Sequence, residues 1–234
     1  MMFIVIHHVS ELWLKLILHE LTGVLSCIRE DSLRPAFKML SRVSRIQAQL
    51  TEGWGILSTM TPVDYATFRE SLGEASGFQS HQYRIAEFVL GNKNASMVAV
   101  HKHNPAVYAE VVQALEAPSL YDETLRLLKR RGLEVPASKL ERDWSKPYEA
   151  SEAVEDAWTV VYGDTTTYWD LYELAEKLVD VEDNFQQWRF RHMKTVSRII
   201  GMKRGTGGTS GVSYLKKALS LRFFPELWSV RSRL

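Results

Sequence analysis

One histidine in this 234-residue chain stands where an apolar side chain is expected. The run Leu174, Leu178, Val181, Phe185, Trp188, His192, Thr195, Ile199 alternates steps of three and four, the pattern of one helix face. An imidazole left unpaired on that face would cost on the order of 1–3 kcal/mol. Two roles are open for His192. It is a core histidine satisfied by a carbonyl or carboxylate, or it is a metal ligand. Neutral imidazole is a frequent axial ligand of haem iron, which wants an apolar slot between helices. Cys27 is a rival ligand in principle, but it lies beside Val24 and Ile28 and reads as core packing. No CxxCH is present, so any haem would be held non-covalently.

Three further constellations carry chemistry. Phe3 and His7 are four apart on one helix face, which stacks an aromatic ring beside a hydrogen-bonding nitrogen. Tyr65 and Arg69 share the same spacing. They form either a clamp for a carboxylate, with Arg supplying a bidentate fork, or half of a salt bridge to a neighbouring acid. The loop GTGGTSG at 205–211 does not match the GxxxxGK(S/T) pattern, and no strand precedes it. Its glycines instead free backbone N–H groups and the Thr206 hydroxyl for a ligand, in a loop able to close as a lid; a plain connector is the alternative. His8 points about 100° away from His7, and His101-Lys102-His103 lacks a nearby carboxylate pattern, so neither set reads as a metal site.

These residues need long helices to hold them. Residues 3–30 carry Phe3, His7, Ser10, Leu14, Ile17, Leu21, Val24 and Ile28 on one face; no capping residue precedes them. A second helix is expected over about 35–57. Thr61 reads as an N-cap with Pro62 at the first helical position and Gly73 as the stop. Further helices are expected over 79–90 and 104–116. The longest starts near Glu155 or Thr167 and ends at Ile200, and a last one starts near Val212. The stretch 117–151 holds three of the seven prolines and reads as a small helical insert. No alternating strand pattern occurs. The expected fold is all-α: one domain over 1–234, a bundle of long antiparallel helices around a pocket.

Composition narrows the function. Apolar residues make up 45%, with seven Trp, nine Tyr and nine Phe, enough for a sizeable core. The formal charge of +1, from 29 basic and 28 acidic residues, argues against bulk nucleic-acid binding. A lone cysteine excludes an internal disulfide, Cys-rich zinc sites and iron–sulfur clusters within the chain. LWLKLILHELTGVL is broken by Lys15, His19 and Glu20, so no membrane span is expected, and no signal peptide is read. The cytoplasm is the expected compartment.

The segments FIVIHHVSELWLKLILHEL (3–21), DYATFRESLGEASGFQSHQYRIAEFVLGNKN (64–94), APSLYDETL (117–125), DVEDNFQQWRFRHMKTVSRIIGMKRGTGGTSGVSYL (180–215) and FFPELWSVR (223–231) resemble the tryptophan 2,3-dioxygenase family, nearly end to end. The resemblance implies an all-helical homotetramer with one haem b per subunit, acting on L-tryptophan and O₂ to give N-formyl-L-kynurenine. It implies His192 as the proximal iron ligand and His7 as the distal acceptor of the indole N–H. Phe3 would pack against the indole or the bound oxygen. Tyr65 and Arg69 would hold the substrate carboxylate, and Thr206 its amino-acid end. Trp54, Ser76 and Gly77 resemble haem-pocket residues. In the family several dozen residues precede the FIVIHH helix, part of them reaching a neighbouring subunit's site; here Met1 starts on that helix. A non-catalytic haem-binding or sensing protein, and a cofactor-free helical interaction module, are the competing readings.

Overall fold

The structure, a computed structural model, describes residues 1–73, 75–206 and 211–234. Every regular element among them is a helix. In order these are α1 (Met2–Arg29), α2 (Leu33–Leu57), α3 (Pro62–Ala66), α4 (His81–Leu90), α5 (Pro105–Glu116), α6 (Leu120–Arg130), α7 (Ala137–Leu140), α8 (Glu152–Gly163), α9 (Trp169–Ile200), α10 (Val212–Ala218) and α11 (Pro225–Ser229).

Helices α1, α2 and α9 form the frame. The expected α1 stripe is real: Leu14, Ile17, Leu21, Val24 and Ile28 are buried in the main core. Ile6 faces Gly53 and Glu20 pairs with Arg42, so α1 runs antiparallel to α2. At Gly23 the approach is close, and an added Cβ would meet the Met39 sulfur at 2.8 Å. The α9 face is also as spaced in the sequence, with Leu171, Leu174, Leu178, Val181 and Phe185 buried. Trp54 of α2 meets Trp188 of α9, and Leu57 clusters with Ile199, so these two helices run side by side and end together. The N-terminus of α1 lies at that same end.

Four details depart from the sequence reading. The long helix starts at Trp169, two residues beyond the later of its two expected starts, after a turn in which the Asp164 carboxylate accepts the Thr167 N–H. The stretch 117–151, expected as a small helical insert, contributes to the main core, where α6 buries Leu120, Tyr121, Leu125, Leu127 and Leu128. Two of its three prolines, Pro118 and Pro136, bracket a short, strongly two-faced helix, one of the helical pieces expected there. The last helix is two pieces. Between them the buried Glu182 carboxylate accepts Phe223 N–H, Phe224 N–H and Trp228 Nε1–H, pinning the C-terminal segment. Finally, α1 is long and apolar enough by length and composition to cross a membrane, with mean hydropathy 1.3 in its best window. Lys15 and His19 fall within that window without breaking it, and 11% of it is buried inside the protein.

Candidate active site

The frame helices converge on a cavity of about 300 Å³ at the end of the bundle where α1 begins and α2 and α9 stop. Its walls include Phe3 and His7 from α1, Trp54 from α2, Tyr65 from α3, and His192 from α9. Ser76, Gly77 and Thr206 complete it from the loops. Eight of the nine residues singled out in the sequence therefore share one space, though they are spread over 204 positions. Arg69 stands at the rim. Its guanidinium carbon lies 5.8 Å from the Tyr65 ring centroid.

Local sequence places each group. On α1 the Phe3 and His7 rings lie 4.2 Å apart and tilted by 37°, brought together by the four-residue spacing. His7 Nδ1 lies 2.6 Å from the Phe3 carbonyl and so must carry the hydrogen. In the neutral ring this leaves Nε2 as the acceptor. Thr61 caps α3 in a reciprocal box with Asp64. Helix α3 ends at Ala66, sooner than the Gly73 stop, yet Arg69 N–H still bonds the Tyr65 carbonyl at 3.0 Å, which keeps the two side chains on one side. Ser76 spends its hydroxyl capping the 3₁₀ turn Gly77–Gln79. A Cβ built on Gly77 would meet nothing within 4 Å, so its backbone borders open space.

His192 is held by rings. Trp54 stacks on it at 4.4 Å and 9°, and Trp188 leans on it at 5.3 Å. Burial, helped by the nearby His7, pushes its imidazole down to about 4, so it is neutral at physiological pH. Trp54 Nε1–H is buried with no partner. At the rim, Arg69 Nη2 donates to the Arg204 carbonyl at 2.7 Å, and Thr206 Oγ1 donates to the Ala75 carbonyl at 2.6 Å. Together they lace the 201–206 segment to the segment after α3. Gly207, Gly208, Thr209 and Ser210 of the glycine-rich loop lie outside the described residues.

A second set of polar groups was missed in the sequence. Tyr83, Arg84 and Glu87 of α4 and Arg189 of α9 line the far end of the cavity. The clue was present: charged residues at helical spacing inside the otherwise apolar YRIAEFVL. Asn92, in the tight loop after α4, lines the same end. Its neighbour Lys93 is 1% exposed and turns the other way, donating to the carbonyls of Ala114 and Ala117.

A profile of tryptophan 2,3-dioxygenase matches residues 1–234. The chain belongs to the tryptophan 2,3-dioxygenase family. It is 58% identical over 234 residues to tryptophan 2,3-dioxygenase 1 of Ralstonia nicotianae, and 59% identical to tryptophan 2,3-dioxygenase of Polaromonas sp.; each match covers 100% of this chain and 80% of the relative. Tryptophan 2,3-dioxygenase of Bacillus thuringiensis is 56% identical, with 84% of its length covered. The family is haem-dependent, and the residues of this dioxygenase fit that group. They offer a neutral imidazole free of hydrogen bonds among the described residues, an orphaned Trp54 N–H, open space over Gly77, and net positive charge at the far end.

Proposed function

We propose that this dioxygenase cleaves the indole C2–C3 bond of L-tryptophan with O₂, giving N-formyl-L-kynurenine, with one non-covalent haem b per subunit. The bound haem supplies ferrous iron, which activates dioxygen. His192 holds it through the lone pair that burial keeps unprotonated, and the Trp54 and Trp188 rings fix the imidazole plane. Trp54, Ser76 and Gly77 border it.

The substrate end follows from the hydrogen bonds. His7 has committed Nδ1–H to the Phe3 carbonyl, so Nε2 accepts the indole N–H and orients the ring. No general base is required of it. Phe3 packs against the indole. The substrate carboxylate displaces the Arg204 carbonyl from Arg69 and gains the Tyr65 side chain, while Thr206 meets the amino-acid end. The apolar walls exclude water.

The observation that carries this reading is the convergence of Phe3, His7, Tyr65, Thr206 and His192 on one cavity in a chain matched throughout by the family. The test is an anaerobic spectrum of the hemin-loaded, reduced protein with and without L-tryptophan, followed by oxygen. A Soret band perturbed by tryptophan, then a formylkynurenine-type absorbance, is expected. Haem uptake with no product would point to a non-catalytic haem protein, and no Soret band would overturn the reading.

A homotetramer is part of the proposal. Val5, Val9, Leu12 and Leu16 stand exposed on α1 at steps of four, three and four, an apolar stripe suited to another helix. The cytoplasm is the proposed compartment: α1 buries its other face in the core, and Cys27 is a free thiol.

A further inference from the structure

Two guanidiniums and one carboxylate meet at the far end of the cavity, each 3–4% exposed. Glu87 is the hub. Its Oε1 accepts the Tyr83 hydroxyl at 2.9 Å and Arg189 Nη2 at 2.9 Å, and its Oε2 accepts Arg84 Nη1. Arg189 also reaches the Leu221 carbonyl at 3.4 Å. Neither arginine has another acidic partner among the described residues. Two positive charges against one negative leave a net +1 buried in the protein. In addition, Nε of both Arg84 and Arg189 is buried without a partner. Such charge and such orphaned donors are costly unless something of opposite sign approaches.

This cluster is coupled to His192 through rings and one helix. Tyr83 lies 5.2 Å from Trp188, which lies 5.3 Å from His192. Arg189 sits three residues before His192 on α9. Its guanidinium is sandwiched at 4.7 and 5.0 Å by Phe185 and Phe223, which keeps water off one side and the local dielectric low.

We propose that Arg84, Glu87 and Arg189 form an electrostatic device that sets the reduction potential of the iron held at His192, with Glu87 as the positioning residue. Glu87 fixes both guanidiniums and trims their charge from +2 to +1. A buried positive charge favours reduced iron, which carries one positive charge fewer than oxidised iron. Removing Glu87's charge therefore raises the potential, and removing either guanidinium lowers it. The inference rests on the haem reading above.

The experiment is a spectroelectrochemical titration of the hemin-loaded full chain and its variants, followed in the Soret region. Glu87→Gln, nearly isosteric, is expected to shift the midpoint upward. Arg189→Met is expected to shift it downward, and Glu87→Asp to stay near the wild type. If Arg189→Met takes up no hemin, Arg84→Gln, which severs a single hydrogen bond, supplies the downward arm. Unchanged midpoints, or shifts of Glu87→Gln and the arginine variants in the same direction, would overturn the inference, because loosened packing carries no sign. Wild-type protein that takes up no hemin would sink the haem reading and this inference with it; uptake with unshifted variants would sink this inference alone.

Discussion

Replacing Arg69 by leucine tests the substrate end most directly. The side chain is half-buried and its recorded hydrogen bond is Nη2 to the Arg204 carbonyl. A carboxylate replacing that carbonyl turns a charge-to-neutral bond into a charge-to-charge fork. Hydrogen bonds to charged groups contribute about 1.5–3 kcal/mol each, and partial exposure discounts the pair. Loss of the Arg204 contact offsets some of the gain. A net of about 2–3 kcal/mol remains, which is roughly 30- to 160-fold in kcat/KM. The assay is steady-state turnover of L-tryptophan and of tryptamine, which lacks the carboxylate. Wild type should favour L-tryptophan, and Arg69→Leu should lose most of that preference while its haem content stays unchanged. Undiminished discrimination against tryptamine in the variant would refute the clamp.

Three further outcomes are expected. His192→Gly should keep its helical circular dichroism, because stacking rather than hydrogen bonding holds the ring, but lose the histidine-ligated Soret spectrum; added imidazole should restore it, and an unaltered spectrum would mean another ligand. Lys93→Met should leave the Ala114 and Ala117 carbonyls unpaired and lower stability to urea by about 2–4 kcal/mol. Burial lowers the Lys93 amine from 10.5 to about 8, so between those values the unfolded chain binds more protons and wild-type stability rises with pH; the variant should lack that rise, and parallel pH curves for the two proteins would dismiss it. Leu12→Lys, at a position 68% exposed, should cut the mass found by light scattering if the α1 stripe closes the tetramer; an unchanged tetramer would move the interface elsewhere.

Periodicity made the three frame helices legible, because burying a stripe against neighbours selects apolar residues at helical spacing. It also placed His192 on an inward face. The same logic gave 117–151 only as a small helical insert, without showing that five apolar residues of α6 join the main core. It left the start of the long helix open between Glu155 and Thr167, and only the structure shows the break after α8, where Asp164 accepts the Thr167 N–H.

The candidate site divides along the same line. Spacing of four by itself determined that Phe3 meets His7 and that Tyr65 meets Arg69, since a helical turn stacks such pairs wherever the helix lies. The His7 tautomer is local as well, because the acceptor is the Phe3 carbonyl one turn back on the same helix. Tertiary structure alone decided that Phe3, His7 and Tyr65 line one cavity with His192, with Arg69 at its rim, and that Arg189 of α9 joins the Tyr83, Arg84 and Glu87 set of α4. The physical reason is range. Helical geometry acts over a few residues of chain, whereas the charge, burial and partner of each polar group are set by elements that packing brings in from far along the sequence.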